Sequence, residues 1–380
     1  MAHRSRGWQD APVRPTPPLT AVVAALPRTV PFVGPEALER ALGRPFAARI
    51  GANESVFGPS PAALAAIRDA ASEAWMYGDP ECRDLRSAIA ELHGAALANV
   101  VCGVGIDGLL GTVVRLFVGP GTPVVTSHGG YPTFMFHVRA AGGVLHEVPY
   151  ADDREDLAGL AARARAAGAR VVYVANPDNP MGTWHAADAI AELRAALPDD
   201  VLLCLDEAYA DTAPADAIGP LDLADGGVVR LRTFSKAHGL AGLRVGYALG
   251  AEETIAAFDR VREHFGVGRL AQAAALASLG DPAHLAATVG RIGEARARIE
   301  AIARACGLTT VPSAANFVAV DCGRDGDVAR AVLAACAERG VFLRMPGVAP
   351  LDRCVRVTAG LPEHLDLLER VLPAALAAAG

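Results

Sequence analysis

The middle of the chain alternates short apolar runs with longer stretches of helical spacing. Between residues 123 and 232 the apolar runs fall near 124–127, 144–148, 171–175, 201–205 and 228–232. They are rich in valine and leucine and short enough to be strands. The intervening stretches near 132–141, 155–167 and 186–196 read as helices. Strand–helix–strand alternation with mostly apolar strands predicts an α/β fold around a mostly parallel sheet covered on both faces. Functional residues are then expected just beyond the carboxyl ends of the strands.

The flanks are patterned differently. Residues 1–50 read as an arm with a short helix, its start held extended by Pro12, Pro15, Pro17 and Pro18. A turn-rich loop spans 51–61. Ser60 then caps a helix that has Pro61 in its first turn and runs to about Ala74. A second helix is expected to set Leu85, Ile89 and Leu92 on one face. After Arg244 come helices near 252–264, 269–279 and 283–306, a strand at 313–320, a helix near 326–338, strands at 341–344 and 354–358, and a terminal helix. The expected division is an arm (1–50), a large domain (51–260) and a smaller α+β domain (261–380).

Composition narrows the function classes. The chain has 380 residues, is 52% hydrophobic and 20% charged, and has a net charge of −7. It is long enough for two domains with substantial cores. Its basic residues form no dense run, so neither nucleic acid nor a membrane surface is an expected partner. Seven dispersed cysteines without a Cys-x-x-Cys suggest reduced thiols in a cytoplasmic protein. The apolar run from Leu19 to Leu26 is too short and too interrupted for a signal peptide, and no uncharged stretch reaches membrane-spanning length.

One residue stands apart. Lys236 is the only lysine; the other 34 of the 35 basic residues are arginine. A chain that uses arginine wherever a cation suffices keeps this lysine for something arginine cannot do. A lysine amine can lose its proton and attack a carbonyl to form a Schiff base. Thr233, Ser235 and Arg244 lie close by in sequence and suit a phosphate site, two hydroxyls and a planar fork. Together they suggest pyridoxal phosphate. The plainer alternative is a stray lysine beside a helix cap.

Three strand ends converge on the same chemistry. The run 171–175 ends in Asn176-Pro177-Asp178-Asn179, 201–205 ends in Asp206-Glu207-Ala208-Tyr209, and 228–232 ends in Thr233-Phe234-Ser235-Lys236. Residues 103–108 form Gly-x-Gly-x-x-Gly between a short strand and a helix. A dinucleotide fingerprint would need an acidic residue after the next strand, and Val124–Ser127 leads only to His128-Gly129-Gly130. A single phosphate at the helix N-terminus fits this turn better.

These motifs together resemble the fold-type-I pyridoxal-phosphate-dependent aminotransferases, most nearly the histidinol-phosphate aminotransferase-like branch. The likeness spans about Asn53 to Thr358. Asp206-Glu207-Ala208-Tyr209, Thr233-Phe234-Ser235-Lys236 and Gly239-Leu240-Ala241-Gly242-Leu243-Arg244 carry most of it. It implies a large domain with a seven-stranded-type sheet, a smaller C-terminal domain and ping-pong amino transfer. The donor would be histidinol phosphate or an amino acid, and the acceptor a 2-oxo acid such as 2-oxoglutarate.

Residue by residue, the resemblance implies that Lys236 holds the cofactor and moves the proton, and that Asp206 pairs with its ring nitrogen. Tyr209 and Asn179 bond the ring oxygen, and Tyr131 stacks on the ring. Thr233, Ser235, Arg244 and the backbone of Ile106 and Asp107 hold the phosphate. Tyr77 reaches the neighbouring subunit's site in a homodimer. Arg356 binds the substrate's anionic group, with Arg344, Asn179 and Asn53 as further contacts.

Departures fall in the phosphate turn and around the substrate. Val104, Ile106 and Gly108 replace polar positions of the usual glycine-rich turn, so backbone N–H groups must replace a serine hydroxyl at Ile106. Met181 stands where threonine is usual. Arg269 offers an extra anion contact. His238 is either a substrate contact or, as expected here, an exposed helix residue. A decarboxylase or lyase on the same scaffold is the rival enzyme. A cofactor-sensing regulator domain is a remote alternative, because residues 1–50 are too few and too proline-rich for a DNA-binding module.

Overall fold

The structure, a computed structural model, describes residues 16–28 and 33–380; Pro12 and Pro15 of the expected arm lie outside them. The chain begins with helices α1 (Ala21–Ala24) and α2 (Pro35–Leu42) and strand β1 (Ala48–Arg49). Helices α3 (Pro61–Ala70) and α4 (Arg83–His93) come next. Then come β2 (Val100–Gly103), α5 (Gly105–Phe117), β3 (Pro123–Ser127), α6 (Pro132–Ala140), β4 (Val144–Val148) and α7 (Leu157–Ala167). The alternation continues through β5 (Val171–Ala175), α8 (Ala187–Ala196), β6 (Leu202–Asp206), β7 (Val228–Thr233), β8 (Gly246–Gly250) and α9 (Glu252–Phe258). The last third holds α10 (Arg269–Leu279), α11 (Pro282–Ala305), β9 (Thr309–Thr310), β10 (Phe317–Asp321), α12 (Gly326–Glu338), β11 (Val341–Phe342), β12 (Cys354–Thr358) and α13 (Pro362–Ala379).

Seven strands form one sheet in the order β2-β8-β7-β6-β5-β3-β4. All pairs are parallel except those of β8, which runs antiparallel to both β2 and β7. Tyr173 and Phe134 stack on one face with Leu110, Val113 and Leu231. Val172, Val174, Leu203 and Leu205 cover the other, against Leu160 of α7 and Leu193 of α8. Two-sided burial is why these strands read as apolar runs rather than as alternating ones.

The sequence pattern does not predict strand β8. Its residues, Gly246-Tyr247-Ala248-Leu249-Gly250, include two glycines and an alanine, which are depleted in strands. Pairing on both sides makes it a strand nonetheless. The helix expected to extend to 264 ends at Phe258. In α4, Leu85 and Ile89 are buried as expected, but Leu92, in the last turn, is 61% exposed and Ala90 is buried instead. Ser60 caps α3 as its sequence predicts, its Oγ accepting from Ala63 N at 3.1 Å.

The C-terminal unit is built on the antiparallel sheet β12-β10-β9, packed on α11, α12 and α13. Strand β1 pairs in parallel with β11 and places Ala48 and Ile50 in this core. Apolar packing crosses the expected division at residues 260/261. Val267, Ala271, Ala274 and Ala275 pack with Ala63, Leu85 and Val100 of the large unit. We propose that the division falls between α10 and α11, where the apolar partners change, and that β1 belongs with the smaller unit.

None of the seven cysteines, all among the described residues, is in a disulfide. No helix among the described residues is long and apolar enough to cross a membrane.

Candidate functional site

The carboxyl ends of β3, β5, β6 and β7 face a cavity of about 360 Å³. Lys236, Asp206, Tyr209, Asn179, Tyr131, Ile106, Asp107, Thr233, Ser235 and Arg244 all line it, from six separate segments of the chain. Parallel strands emit their chain ends on one side, and that common direction brings these segments together.

Successive residues at the end of β6 point to opposite faces of the sheet. Glu207 is turned away and pinned by Arg230, at 2.6 and 3.0 Å, and by Arg232 at 2.9 Å. Asp206 is left facing the cavity. Its Oδ2 accepts from Tyr173 Oη at 2.8 Å and its Oδ1 from Ala208 N at 3.0 Å. Burial raises its carboxyl to about 6, against the pull of those two hydrogen bonds. Sequence reasoning placed Tyr173 only as a strand residue. A tyrosine hydroxyl buried in a parallel strand needs a partner, and that was the available signal.

The Lys236 Nζ donates to Asn53 O at 3.0 Å and lies 5.6 Å from the centre of the Tyr209 ring. Burial, with Arg356 next in effect, lowers its ammonium to about 8. A desolvated amine beside cations gives up its proton readily. Asn53 is fixed on both sides, its Nδ2 donating to Tyr209 Oη at 2.9 Å and its Oδ1 accepting from Thr358 Oγ1 at 3.1 Å. Asn316 Nδ2 donates to Asn53 O at 3.1 Å.

The opposite end of the cavity suits an anion. Helix α5 begins without a side-chain cap, which leaves the N–H groups of its first turn unsatisfied. Ile106 buries its side chain in the core, so its amide rather than its side chain serves the cavity. Arg244 Nη1 donates to Ser235 Oγ at 3.3 Å, and Nη2 lies 3.4 Å from Asp107 Oδ2. Thr233 Oγ1 accepts from Ser235 N at 3.0 Å. Gly105 has φ +65°, and a Cβ there would come within 2.7 Å of Arg244 Nη2. Close approach of backbone and guanidinium thus requires glycine at this position. Tyr131 Oη donates to Asp107 Oδ1 at 2.7 Å.

Arg356 reaches the cavity wall through Asn179, its Nη1 donating to Asn179 Oδ1 at 2.5 Å. Its Nε has no partner among the described residues. Burial lowers the Arg356 guanidinium, so an anion there would relieve an unfavourable charge.

Four other expected residues lie outside the cavity wall. Arg344 donates to Val33 O at 2.8 Å. Arg269 is held by Glu73 Oε2 and Tyr77 O, each at 3.1 Å. Tyr77 is 77% exposed and packs its ring 4.8 Å from that of Phe265. His238 corrects an expectation. It is buried, outside any helix, with Nδ1 2.8 Å from Ser278 Oγ and its ring 4.8 Å from Phe234. Its surroundings are core, so it is neither exposed nor in the cavity.

A carboxylate at the back, an amine in the middle and uncapped N–H groups with a guanidinium at the far end fit pyridoxal phosphate from ring nitrogen to phosphate. Residues 48–370 match the family of class I and II aminotransferases. The chain belongs to this family. It is a pyridoxal-phosphate-dependent aminotransferase. A histidinol-phosphate aminotransferase from Moorella thermoacetica is 34% identical over 372 residues, covering 97% of this chain and 95% of the relative. One from Erythrobacter litoralis is 39% identical over 339 residues, covering 87% and 91%. The crystal structure of the histidinol-phosphate aminotransferase from Sinorhizobium meliloti, in complex with pyridoxal-5'-phosphate, superposes with a TM-score of 0.94. Its identity is 51%, over 96% of this chain and 99% of that one.

The lysine sets a pH dependence on how this aminotransferase takes up its cofactor. Only the neutral amine attacks a carbonyl, and below about 8 its fraction falls about tenfold per pH unit. The rate of pyridoxal phosphate uptake by the cofactor-free protein is therefore expected to rise with pH and level off above about 8. Stopped-flow absorbance across this range checks it. A profile still rising steeply at the pH of ordinary lysine ionisation would contradict it.

Proposed function

We propose that this aminotransferase takes its amino group from histidinol phosphate and passes it to 2-oxoglutarate. The main support is the Arg356 guanidinium, held by Asn179 on one side and with its Nε unpartnered among the described residues. A planar fork grips a phosphate or a carboxylate equally well. One arginine thus serves a phosphorylated donor in one half-reaction and a dicarboxylate acceptor in the other. The names of the relatives favour histidinol phosphate over an amino acid as donor.

Bound pyridoxal phosphate supplies a carbonyl for the amine and a ring that draws electrons from the substrate's Cα. The residues divide the remaining work. Asp206, buried and still an acceptor of two hydrogen bonds, matches a protonated ring nitrogen; a cation there would return its raised carboxyl to the ionised form. Lys236 would anchor the cofactor, and its free amine would hold the proton that leaves the substrate's Cα. Tyr209 and Asn179 orient the ring oxygen. Tyr131 covers the ring. Thr233, Ser235, Arg244 and the amides of Ile106 and Asp107 hold the phosphate. Asn53 fixes Tyr209 and Lys236 relative to each other.

The working form is proposed to be a cytoplasmic homodimer. Trp75 and Tyr77 are 81% and 77% exposed and Phe265 is 54% exposed, an aromatic group that a second copy would cover. Tyr77 would then complete the partner's site.

Arg356→Ala tests the anion contact. It is expected to raise KM for histidinol phosphate by about 100-fold, as loss of a buried charge-assisted contact does, while the absorption of the bound cofactor is kept. Steady-state kinetics decides it. An unchanged KM would move anion recognition to Arg344.

A further inference from the structure

Two buried carboxylates lie behind the Asn179 loop, Asp178 and Glu155, each about 2% exposed. Asp178 Oδ1 accepts from Tyr150 Oη at 2.9 Å and Oδ2 from Met181 N at 3.0 Å. Its own N donates to Thr183 O at 2.8 Å and its O accepts from Gly182 N at 3.2 Å. These four bonds fold the turn that presents Asn179. Glu155 Oε2 accepts from Ala175 N at 3.2 Å, while Oε1 has no hydrogen-bond partner among the described residues. A Cβ built on Gly130 would lie 3.8 Å from Tyr150 Oη and 3.9 Å from Glu155 Oε1, so both groups face one small space.

Among the described residues, no cation is hydrogen-bonded to either carboxylate. The charged and titratable groups that bear on the pair come from each surrounding element. Arg356 of β12 attracts Asp178, Asp206 of β6 repels Glu155, Tyr150 lies just after β4, and the His185 ring binds Glu155 O at 2.8 Å.

We propose that Asp178 and Glu155 form a proton-holding pair that couples anion binding at Arg356 to proton uptake, with Asp178 the positioning residue for the Asn179 loop. Two like charges in a dry site cannot both be ionised cheaply, so the pair keeps a proton near neutrality. Burial pushes Asp178 up to about 7, and burial with the neighbouring Asp178 pushes Glu155 up. The bonds from Met181 N and Tyr150 Oη draw Asp178 toward ionisation, and the Arg356 charge adds to them. A substrate anion on Arg356 cancels that attraction, and the pair takes up a proton. By linkage, the anion binds more tightly when the pair is already protonated.

The inference rests on Arg356 as the anion contact. The test uses KM of the holoenzyme for 2-oxoglutarate, whose two carboxylates stay ionised over the range used. Between about pH 6 and pH 8 the wild-type KM is expected to rise at least about fivefold, with kcat changing far less. In Asp178→Asn the rise disappears. Tyr150→Phe, which removes a hydrogen bond to the ionised form, moves the midpoint upward and covers the case in which Asp178→Asn fails to fold. Calorimetry in two buffers of different ionisation enthalpy should show proton uptake on binding in wild type and none in Asp178→Asn. If Arg356→Ala weakens binding while Asp178→Asn keeps the wild-type pH profile, the coupling is overturned and the anion contact stands. If Arg356→Ala leaves KM unchanged, the anion contact itself is overturned.

Discussion

Lys236→Ala is expected to lower amino transfer by about 10⁴-fold or more, because it removes both the nucleophile and the general base. This chain makes the experiment unusually clean. Lys236 is the only lysine, so no neighbouring ε-amine can stand in. The variant should fold. Among the described residues the Nζ makes one hydrogen bond, to Asn53 O, and Asn316 Nδ2 also donates to that carbonyl. An ammonium lowered to about 8 by burial also destabilises the folded state as pH falls below the ordinary lysine value, in full below about 8, so its removal is tolerable. Borohydride reduction of the wild-type holoenzyme should fix the cofactor on the peptide containing residue 236 and nowhere else. Substantial turnover by Lys236→Ala, or reductive labelling of that variant, would contradict the assignment.

Asp206→Asn is expected to lower kcat by about 100- to 1,000-fold, the usual cost of removing one preorganised electrostatic partner. The amide keeps the shape of the carboxylate: its Oδ1 can still accept from Ala208 N, and its Nδ2 can donate to the Tyr173 hydroxyl, which reverses that bond. What it loses is the negative charge needed opposite a protonated ring nitrogen. Attachment of the cofactor to Lys236 should survive, which separates this effect from that of Lys236→Ala. Tyr173→Phe supplies a graded control. It removes one hydrogen bond from the ionised carboxylate and should shift the pH at which activity is lost without abolishing activity. A kcat within about threefold of wild type in Asp206→Asn would show that ring protonation is not held by this residue.

Much of the site was legible because its residues stand at the ends of strands that are mostly apolar. Val171–Ala175, Leu202–Asp206 and Val228–Thr233 announce themselves as buried strands, and the residues just beyond each are polar and chemically competent. The single lysine then singled out one of those ends. The illegible part depends on contacts between distant segments. Strand β8 has a poor strand sequence and exists because β2 and β7 pair with it on either side. His238 lies in a polar-looking stretch, and its burial is decided by Ser278 on α10, forty residues on. Arg269 and Arg344 were sensible anion contacts by residue type, yet each guanidinium is engaged by backbone carbonyls elsewhere. Asp178 stood in the sequence only as part of the strand end Asn176-Pro177-Asp178-Asn179. Its burial and its bond from Tyr150 depend on segments distant in sequence.

The proposed shift of the domain boundary has a similar cause. Helix α10 lies after the residues expected to open the small unit, and its alanines give no sign of which core they join. Ala271, Ala274 and Ala275 allow a close approach to α3 and α4 that larger side chains would block. Small residues record that two elements pack closely, not which two.

The most direct test of the proposed donor is the first half-reaction. Purified holoenzyme is mixed with histidinol phosphate or with a panel of amino acids, without acceptor, and the absorption of the lysine-bound cofactor is monitored. Rapid loss of that absorption with histidinol phosphate, and slow or no loss with the amino acids, is the predicted result. Rapid loss with amino acids but none with histidinol phosphate would contradict the proposed donor and leave a carboxylate as the anion that Arg356 receives.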